Sequence, residues 1–208
     1  MRRLALALAV LTIASSSVQA QQISYRNGQS VCCFGASSTL TYGQTFTALG
    51  NSLNDFSFWV GDARLFGSGT ADAFVYAWDA TNRRATGGAL FSGSLTYSAA
   101  NAVTMYTVNT TGTSLTTGQV YVAFWTGTSQ FANSLGWEGG YGNTYGGGEF
   151  VYTNNDYTSA QWSDVGSDFD VSFEANFATT TVPEPMSFVL VGTGLLGVAF
   201  ARRRRSNA

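Results

Sequence analysis

The side chains best suited to chemistry in this chain lie in a glycine-rich stretch, residues 136–149. Trp137, Tyr141 and Tyr145 recur there every four residues, and Glu138 follows the tryptophan. Aromatic rings beside carboxylates suit sugar binding, because the rings can stack on apolar sugar faces while the carboxylates accept hydrogen bonds from hydroxyl groups. Among so many glycines the rings could lie exposed on a surface loop and form a ligand site. We favour the alternative, a flexible connector whose rings fold back on a sheet edge.

Carboxylates offer two further kinds of chemistry, acid–base catalysis and calcium binding. A carboxyl pair can hydrolyse a glycosidic bond, and the candidates for such a pair are Glu138, Glu149, Asp164 and Asp168. Carboxylate oxygens also suit Ca²⁺, and the candidate ligands are Asp156, Asp164, Asp168 and Asp170. No spacing selects a pair or a calcium loop. We expect Asp168 and Asp170 to be solvent-facing positions of the last strand.

Other catalytic and metal chemistry is excluded by the residue types that are missing. The chain contains no histidine and no lysine, so histidine-dependent triads and Ser–Lys dyads lack their base. Zinc would have two cysteines and no histidine as ligands, which does not complete a site. We therefore expect a protein that is not an enzyme and that needs no cofactor.

Cys32 and Cys33 are adjacent and are the only cysteines. In an oxidising compartment an even number of cysteines favours a disulfide. Adjacent Cα atoms lie about 3.8 Å apart across a trans peptide, below the usual disulfide minimum of about 4.4 Å. A vicinal disulfide, two thiols and links between molecules all stay open on this reasoning.

The elements that must position these side chains are strands. Period-2 alternation of residue types, rich in aromatic and β-branched side chains, marks the segments 56–60, 71–79, 120–125 and 169–177. Clusters of turn residues separate them, and no stretch repeats apolar residues at helical spacing over three turns. The pattern predicts an all-β fold, an antiparallel β-sandwich of jelly-roll type. Its predicted core includes Phe56, Phe58, Val75, Val122, Phe124, Val171 and Phe173.

Two of these strands predict the direction of individual side chains. In 120–125, we expect Val120, Val122 and Phe124 to point inward and the odd-numbered residues to lie on the opposite face. In 169–177, the odd-numbered residues are apolar, and we expect them to be buried. We expect the even-numbered residues to be exposed to solvent.

The N-terminus has the order of a secretory signal peptide. Arg2 and Arg3 precede an apolar run at 4–13, and small and polar residues follow up to Ala20. A charged start, a short apolar stretch and a small residue at the end predict export, with cleavage after Ala20.

The charge of the chain is unevenly distributed. Six of the ten arginines lie in the two terminal segments, so residues 21–181 carry four arginines against eight aspartates and three glutamates, a net charge of −7. An acidic surface without lysine repels phosphate, which excludes nucleic acid as a partner.

The C-terminal segment combines a proline motif, an apolar run and a basic end. The motif consists of Val182, Pro183, Glu184 and Pro185, and the basic end consists of Arg202, Arg203, Arg204 and Arg205. The uncharged run at 186–200 would extend roughly 22 Å as a helix, which makes it a short membrane span. We predict a helix over 186–201, with the arginines held in the cytoplasm.

This tail resembles the PEP-CTERM protein-sorting tail of Gram-negative bacteria. The resemblance implies cleavage near the proline motif by an exosortase, in bacteria that make extracellular polysaccharide, and it carries over no catalytic residue. Segments 42–46, 74–79, 115–122 and 169–177 look like those of PEP-CTERM proteins with a β-sandwich ectodomain.

The predicted order is a signal peptide at 1–20, an ectodomain at 21–177, a spacer at 178–181 and a sorting tail at 182–208. We expect a non-enzymatic protein that crosses the inner membrane, is anchored there at least transiently, and reaches the cell surface or the extracellular matrix. The alternatives are a lectin-like module that binds the exopolysaccharide and a glycosidase.

Overall fold

The computed structural model describes residues 21–35, 38–61, 67–99, 102–127, 135–142, 145–166 and 168–178. Within these ranges the chain forms twelve strands and no helix. The strands are β1 (Gln21–Tyr25), β2 (Ser30–Phe34), β3 (Thr41–Thr47), β4 (Ser52–Val60), β5 (Gly67–Asp79), β6 (Arg84–Ala99), β7 (Thr104–Ser114), β8 (Val120–Gly127), β9 (Leu135–Tyr141), β10 (Phe150–Thr153), β11 (Phe169–Val171) and β12 (Phe173–Ala178).

The strands make two antiparallel sheets. In the seven-stranded sheet, β4 lies between β12 and β7, and β1 pairs with the other side of β12. Val60 at the end of β4 pairs with Trp137 on β9, and β9 in turn lies between β2 and β11. The five-stranded sheet has the order β10-β3-β8-β5-β6.

The main core lies between the two sheets. Phe58 on β4 lies 5.7 Å from the ring of Trp125 on β8, and Phe46 on β3 lies 5.6 Å from Phe173 on β12. All seven residues predicted for the core are buried. The prediction of an all-β antiparallel sandwich is therefore confirmed, whereas its finer assignment to the jelly-roll type stays a prediction.

A second apolar layer covers the outer face of the five-stranded sheet. Val122 and Phe124 on β8 belong to it, with Tyr76 and Trp78 from β5, and Trp162 packs on them from the segment after β10. The prediction that the even-numbered side of β8 faces the core between the sheets is wrong. Those residues lie in the outer layer, while Tyr121, Ala123 and Trp125 fill the main core.

The last predicted strand is two strands in the structure. Residues 169–171 pair with β9, and after Ser172 the chain pairs with β1 and β4 as β12. The odd-numbered residues are buried as predicted. The prediction that the even-numbered residues are exposed is wrong for the first two of them, because Asp170 and Ser172 have no exposed surface. Asp170 is covered by Gln44, which reaches it from the other sheet.

The predicted signal peptide and the sorting tail lie outside the described residues. Among the residues that the structure describes, none belongs to a helix long and apolar enough to cross a bilayer.

Candidate functional site

The first half of the glycine-rich stretch is a buried strand. Residues 135–141 form β9, and Trp137 has no exposed surface. Its ring lies 4.7 Å from Phe58 and 5.1 Å from Trp125. The hypothesis of an exposed, ligand-binding ring at Trp137 is therefore wrong, because the side chain points between the sheets.

Glu138 is held by partners on the outer side of β9. Its Oε1 accepts hydrogen bonds from Arg26 Nε at 2.8 Å and from Ser172 Oγ at 2.8 Å, and its Oε2 accepts one from Arg26 Nη2 at 3.2 Å. The carboxylate is nearly inaccessible, and Arg26 in turn lies over the ring of Trp59. Glu138 is thus part of a bidentate ion pair that ties the chain after β1 to β9.

The two tyrosines of the stretch have different surroundings. Tyr141 is 52% exposed, packs edge-on against Phe169 at 4.8 Å and donates a hydrogen bond to the carbonyl of Val165. Tyr145 is half-buried against the main core. The four predicted ligand-binding residues therefore do not share one exposed surface, and Tyr141 alone presents a largely accessible ring.

Asp170 is the most perturbed carboxyl group near this stretch. Burial raises its pKa from 3.8 to about 6, although hydrogen bonds from Gln44 and from the Tyr145 backbone lower it, and the negative charge of Glu149 adds to the increase. Gln44 Nε2 donates to one carboxylate oxygen at 2.6 Å, and the Tyr145 amide donates to the other at 2.8 Å. Asp170 therefore links β11, β3 and the glycine-rich stretch.

The second half of the stretch borders a groove that the sequence analysis did not find. This groove has a volume of about 250 Å³ and is lined by Thr45, Trp78, Ala80, Val120, Gly147, Gly148 and Glu149. Residues 147–149 lie directly on β3, since the Thr45 amide donates to the Glu149 carbonyl at 2.9 Å. Only glycine fits at Gly148, because a Cβ atom there would lie 1.7 Å from the Thr45 carbonyl oxygen.

A charged cluster stands at the Glu149 side of this groove. Arg83, in the turn between β5 and β6, lies 3.8 Å from Glu149 and contacts Asp164 through Nη1. Its Nε and Nη2 atoms are buried and have no hydrogen-bond partner among the described residues. The Arg83 carbonyl accepts a hydrogen bond from the Trp162 amide, so the turn is fixed on the outer apolar layer. The groove thus combines an aromatic wall with a carboxylate, and Arg83 lies beside that carboxylate without lining the groove.

The remaining predicted carboxylates do not form a metal centre. Asp156 accepts hydrogen bonds within its own turn, from Thr158 and Ser159, which lower its pKa to about 2. Asp168 is exposed. Among the described residues, no group of three or more metal-binding side chains comes together. The four aspartates proposed for Ca²⁺ are therefore not assembled into a site.

Cys32 and Cys33 lie on β2 with their sulfur atoms in contact across a cis peptide bond. Of the alternatives left open by the sequence, the structure has the arrangement of a vicinal disulfide. Cys32 borders a cavity of about 170 Å³ whose lining includes Tyr42, Phe150 and Tyr152. The bond itself is a prediction that mass measurement can test.

Comparison with known families identifies the C-terminal segment. Residues 181–205 match the family described as the PEP-CTERM protein-sorting motif. The chain carries a PEP-CTERM sorting motif. This motif indicates an exported surface protein that is processed by an exosortase.

Comparison of the fold and of the whole sequence adds little about the ectodomain. The fold is similar to that of a solved chain that contains the cysteine protease and lectin-like domains of Cwp84, a surface layer associated protein of Clostridium difficile. The two share 12% sequence identity with a TM-score of 0.46, over 68% of this chain and 32% of the other. No curated protein matches the sequence.

Proposed function

We propose that this chain is a non-enzymatic protein of the cell surface or extracellular matrix, whose β-sandwich is exported with a signal peptide and released from a C-terminal membrane anchor by an exosortase. The sorting motif at 181–205 carries this proposal. The motif begins at residue 181, shortly after Ala178, where β12 ends as the last strand among the described residues. The ectodomain is thereby delivered as one folded unit to the polysaccharide matrix of a Gram-negative bacterium.

The test is intact-mass analysis of the full chain expressed in a Gram-negative host with its exosortase gene present or deleted. With the exosortase, we expect a product that begins at Gln21 and lacks the arginines at 202–205. Without it, or with Glu184→Ala, the arginines stay on the chain. Ser187→Ala, in the apolar run, is the matched control and should be processed like the parent. Arginines on most of the exported parent protein would leave a simple membrane anchor and refute processing.

The groove favours a second candidate function, binding of carbohydrate. Trp78 lines the groove with the small exposed part of its ring, and Glu149 offers carboxylate oxygens. Sugar sites combine an apolar aromatic wall with a few convergent polar groups. We expect the groove to prefer neutral sugars to uronic acids. Two carboxylates, Glu149 and Asp164, lie beside the single guanidinium of Arg83, so the local net charge is negative and repels a uronate.

Binding to the polysaccharide of the host, measured by isothermal titration, tests this candidate. A hydrogen bond to a charged group is worth about 1.5–3 kcal/mol, so we expect Glu149→Gln to weaken binding roughly 10-fold or more. Glu174→Gln is the matched control, since Glu174 lies on β12 of the seven-stranded sheet, which does not line the groove, and accepts a hydrogen bond from Ser24 on β1. Equal affinities for both variants would remove the groove as the site. Release of reducing sugar by the parent protein would instead indicate a glycosidase.

A further inference from the structure

A run of 53 residues, from Ala85 to Trp137, contains no charged side chain. The run includes almost all of β6 and the whole of β7 and β8. β8 is a central strand, where the absence of charge is expected because both of its faces are covered. β6 is different, because among the residues that the structure describes it is the last strand of the five-stranded sheet. In a domain with a net charge of −7, one sheet edge is therefore neutral.

The edge of β6 is long and regular over residues 91–99. These residues pair with 67–75 on β5 without a break in register. The Ser98 amide donates to the Tyr106 hydroxyl at 2.8 Å and so does not point toward β5. Tyr106 thus covers the edge at Ser98, and the open segment is residues 91–97. In an antiparallel strand, alternate residues direct both their N–H and C=O groups to the same side. Ser92, Ser94 and Thr96 therefore present their backbone groups at the open side of β6.

The usual protection of an open edge is missing along this segment. Edge strands are commonly guarded by lysine, proline, inward-pointing charge or a bulge. The chain has no lysine, and both prolines are in the sorting motif. Four residues of β6, 87–90, stand opposite the single Tyr76, and this irregularity interrupts only the preceding part of the strand. Other edges are less suited to pairing, since β1 and β10 are short and the pairing of β7 with β4 is interrupted between Leu53 and Asp55.

We propose that residues 91–97 of β6 pair in antiparallel orientation with the same residues of a second copy of this chain, with Ser94 facing Ser94 across a two-fold axis. In this register Ser92 faces Thr96 of the second copy, so that all three outward-pointing residues form hydrogen-bonded pairs. An antiparallel pair of identical strands is self-complementary, as a two-fold interface requires. The product is a continuous ten-stranded sheet shared by two sandwiches.

The side chains on the inner face of β6 favour this pairing over an unpaired edge. Phe91 and Leu95 pack on the main core and are only partly buried. In the proposed register Phe91 lies opposite Tyr97 of the second copy, and Leu95 lies opposite Gly93. These cross-strand contacts cover apolar surface that one copy leaves in water. Residues 91–97 carry no charge of their own, and the nearby Asp72 carboxylate on β5 accepts a hydrogen bond from Ser94 Oγ at 2.7 Å. The acidic remainder of each domain disfavours contact through other faces.

Cysteine cross-linking tests the register directly in the protein that is exported when the full-length chain is expressed. Two residues that face each other in a hydrogen-bonded antiparallel pair have Cα atoms about 5.5 Å apart, within the usual disulfide range of about 4.4–6.8 Å. We therefore expect Ser94→Cys to form a disulfide-linked dimer under mild oxidation. Ser92→Cys is the matched control, since it is exposed on the same face but would lie about 13 Å from its counterpart, four residues along the strand.

Analytical ultracentrifugation of the parent and of Ser94→Pro supplies the second measurement. Proline is tolerated on an edge strand where its missing N–H would face solvent. We expect the parent to form a dimer whose fraction rises with concentration, and Ser94→Pro to be monomeric with a thermal midpoint within a few degrees of the parent. If Ser94→Pro fails to fold, the comparison of Ser94→Cys with Ser92→Cys still tests the proposed pairing. A parent that is monomeric throughout, or equal cross-linking of Ser94→Cys and Ser92→Cys, would overturn the proposal.

Discussion

Trp137 provides the sharpest test of the structure, because sequence reasoning and structure disagree about where its ring lies. An exposed loop residue can be truncated with little effect on stability, whereas a tryptophan between two sheets cannot. The Trp137 ring has no exposed surface. It lies within 5.5 Å of four other aromatic rings, those of Phe34, Tyr42, Phe58 and Trp125.

Replacing Trp137 by alanine leaves a cavity in the main core. Truncation of a buried Phe or Trp to Ala costs about 3–5 kcal/mol. For a domain of this size, each kcal/mol shifts the thermal midpoint by about 2–4 °C. We therefore expect Trp137→Ala to melt roughly 6–20 °C below the parent.

Two further variants separate the contributions to this loss. The indole N–H of Trp137 has no hydrogen-bond partner among the described residues, and an unsatisfied buried donor costs about 1–3 kcal/mol. Trp137→Phe keeps an aromatic ring and removes this donor, so we expect less than half of the alanine effect. Tyr141→Ala is the surface control, with an expected loss of about 1 kcal/mol for one ring contact and one weak hydrogen bond.

The assay is thermal unfolding followed by near-ultraviolet circular dichroism, with urea unfolding as a second measure of the free energy. The comparison needs reversible, two-state transitions in all four proteins. A midpoint for Trp137→Ala within about 2 °C of the parent, or a larger loss for Tyr141→Ala than for Trp137→Ala, would refute the placement of β9 in the core.

Two further predictions concern ionisation and oxidation. Because the folded-state pKa of Asp170 is about 6 and its ordinary value is 3.8, folding favours the protonated group, so its contribution to stability is complete below about pH 4 and is lost as the pH rises through 6. The free energy of unfolding of the parent, measured in urea, should fall between pH 4 and pH 7, and that of Asp170→Asn should fall less. An equal fall in the two proteins would mean that folding does not raise the pKa of Asp170. If Cys32 and Cys33 form a disulfide, the exported protein should weigh two hydrogen atoms less than its reduced form and should resist alkylation until reduced. Alkylation of both thiols without reductant would contradict the bond.

Strand periodicity predicted much of the fold because it reports local geometry. Alternating residues on a strand face opposite sides of the sheet, and the buried set Phe56, Phe58, Val171 and Phe173 follows from this alone. The same rule cannot say which neighbouring element covers each face of a strand. Both faces of β8 are covered, and the face that composition predicted to point into the main core packs in the outer layer instead.

The glycines at 139 and 140 predicted a loop where the structure has β9, because they serve contacts in the tertiary structure. A Cβ atom at Gly139 would lie 2.8 Å from the Asp170 carbonyl oxygen, and one at Gly140 would lie within 2.7 Å of three Asn27 side-chain atoms. These glycines let β11 and the segment after β1 approach the strand closely. Because those neighbours are distant in sequence, a local pattern indicates only a flexible loop.

The groove was missed because its parts come from separate segments. Trp78 belongs to β5, Val120 begins β8, and Glu149 precedes β10. No spacing in the sequence relates these residues, and only the antiparallel order of the five-stranded sheet brings them together. The buried environment of Asp170 has a similar origin, since Gln44 on the opposite sheet covers it.

The groove and the open edge of β6 lie in different parts of the same sheet, and this separation bears on how the two proposals combine. Trp78 pairs with Ala85, whereas residues 91–97 pair with 69–75, so pairing of two β6 strands need not cover the groove. A dimer would then present two grooves on one rigid sheet. When two sites bind the same polymer, the second binding event becomes intramolecular and is favoured by its effective concentration. Weak binding of sugar at each shallow groove is therefore compatible with firm retention in a polysaccharide matrix, provided that the released ectodomain is dimeric.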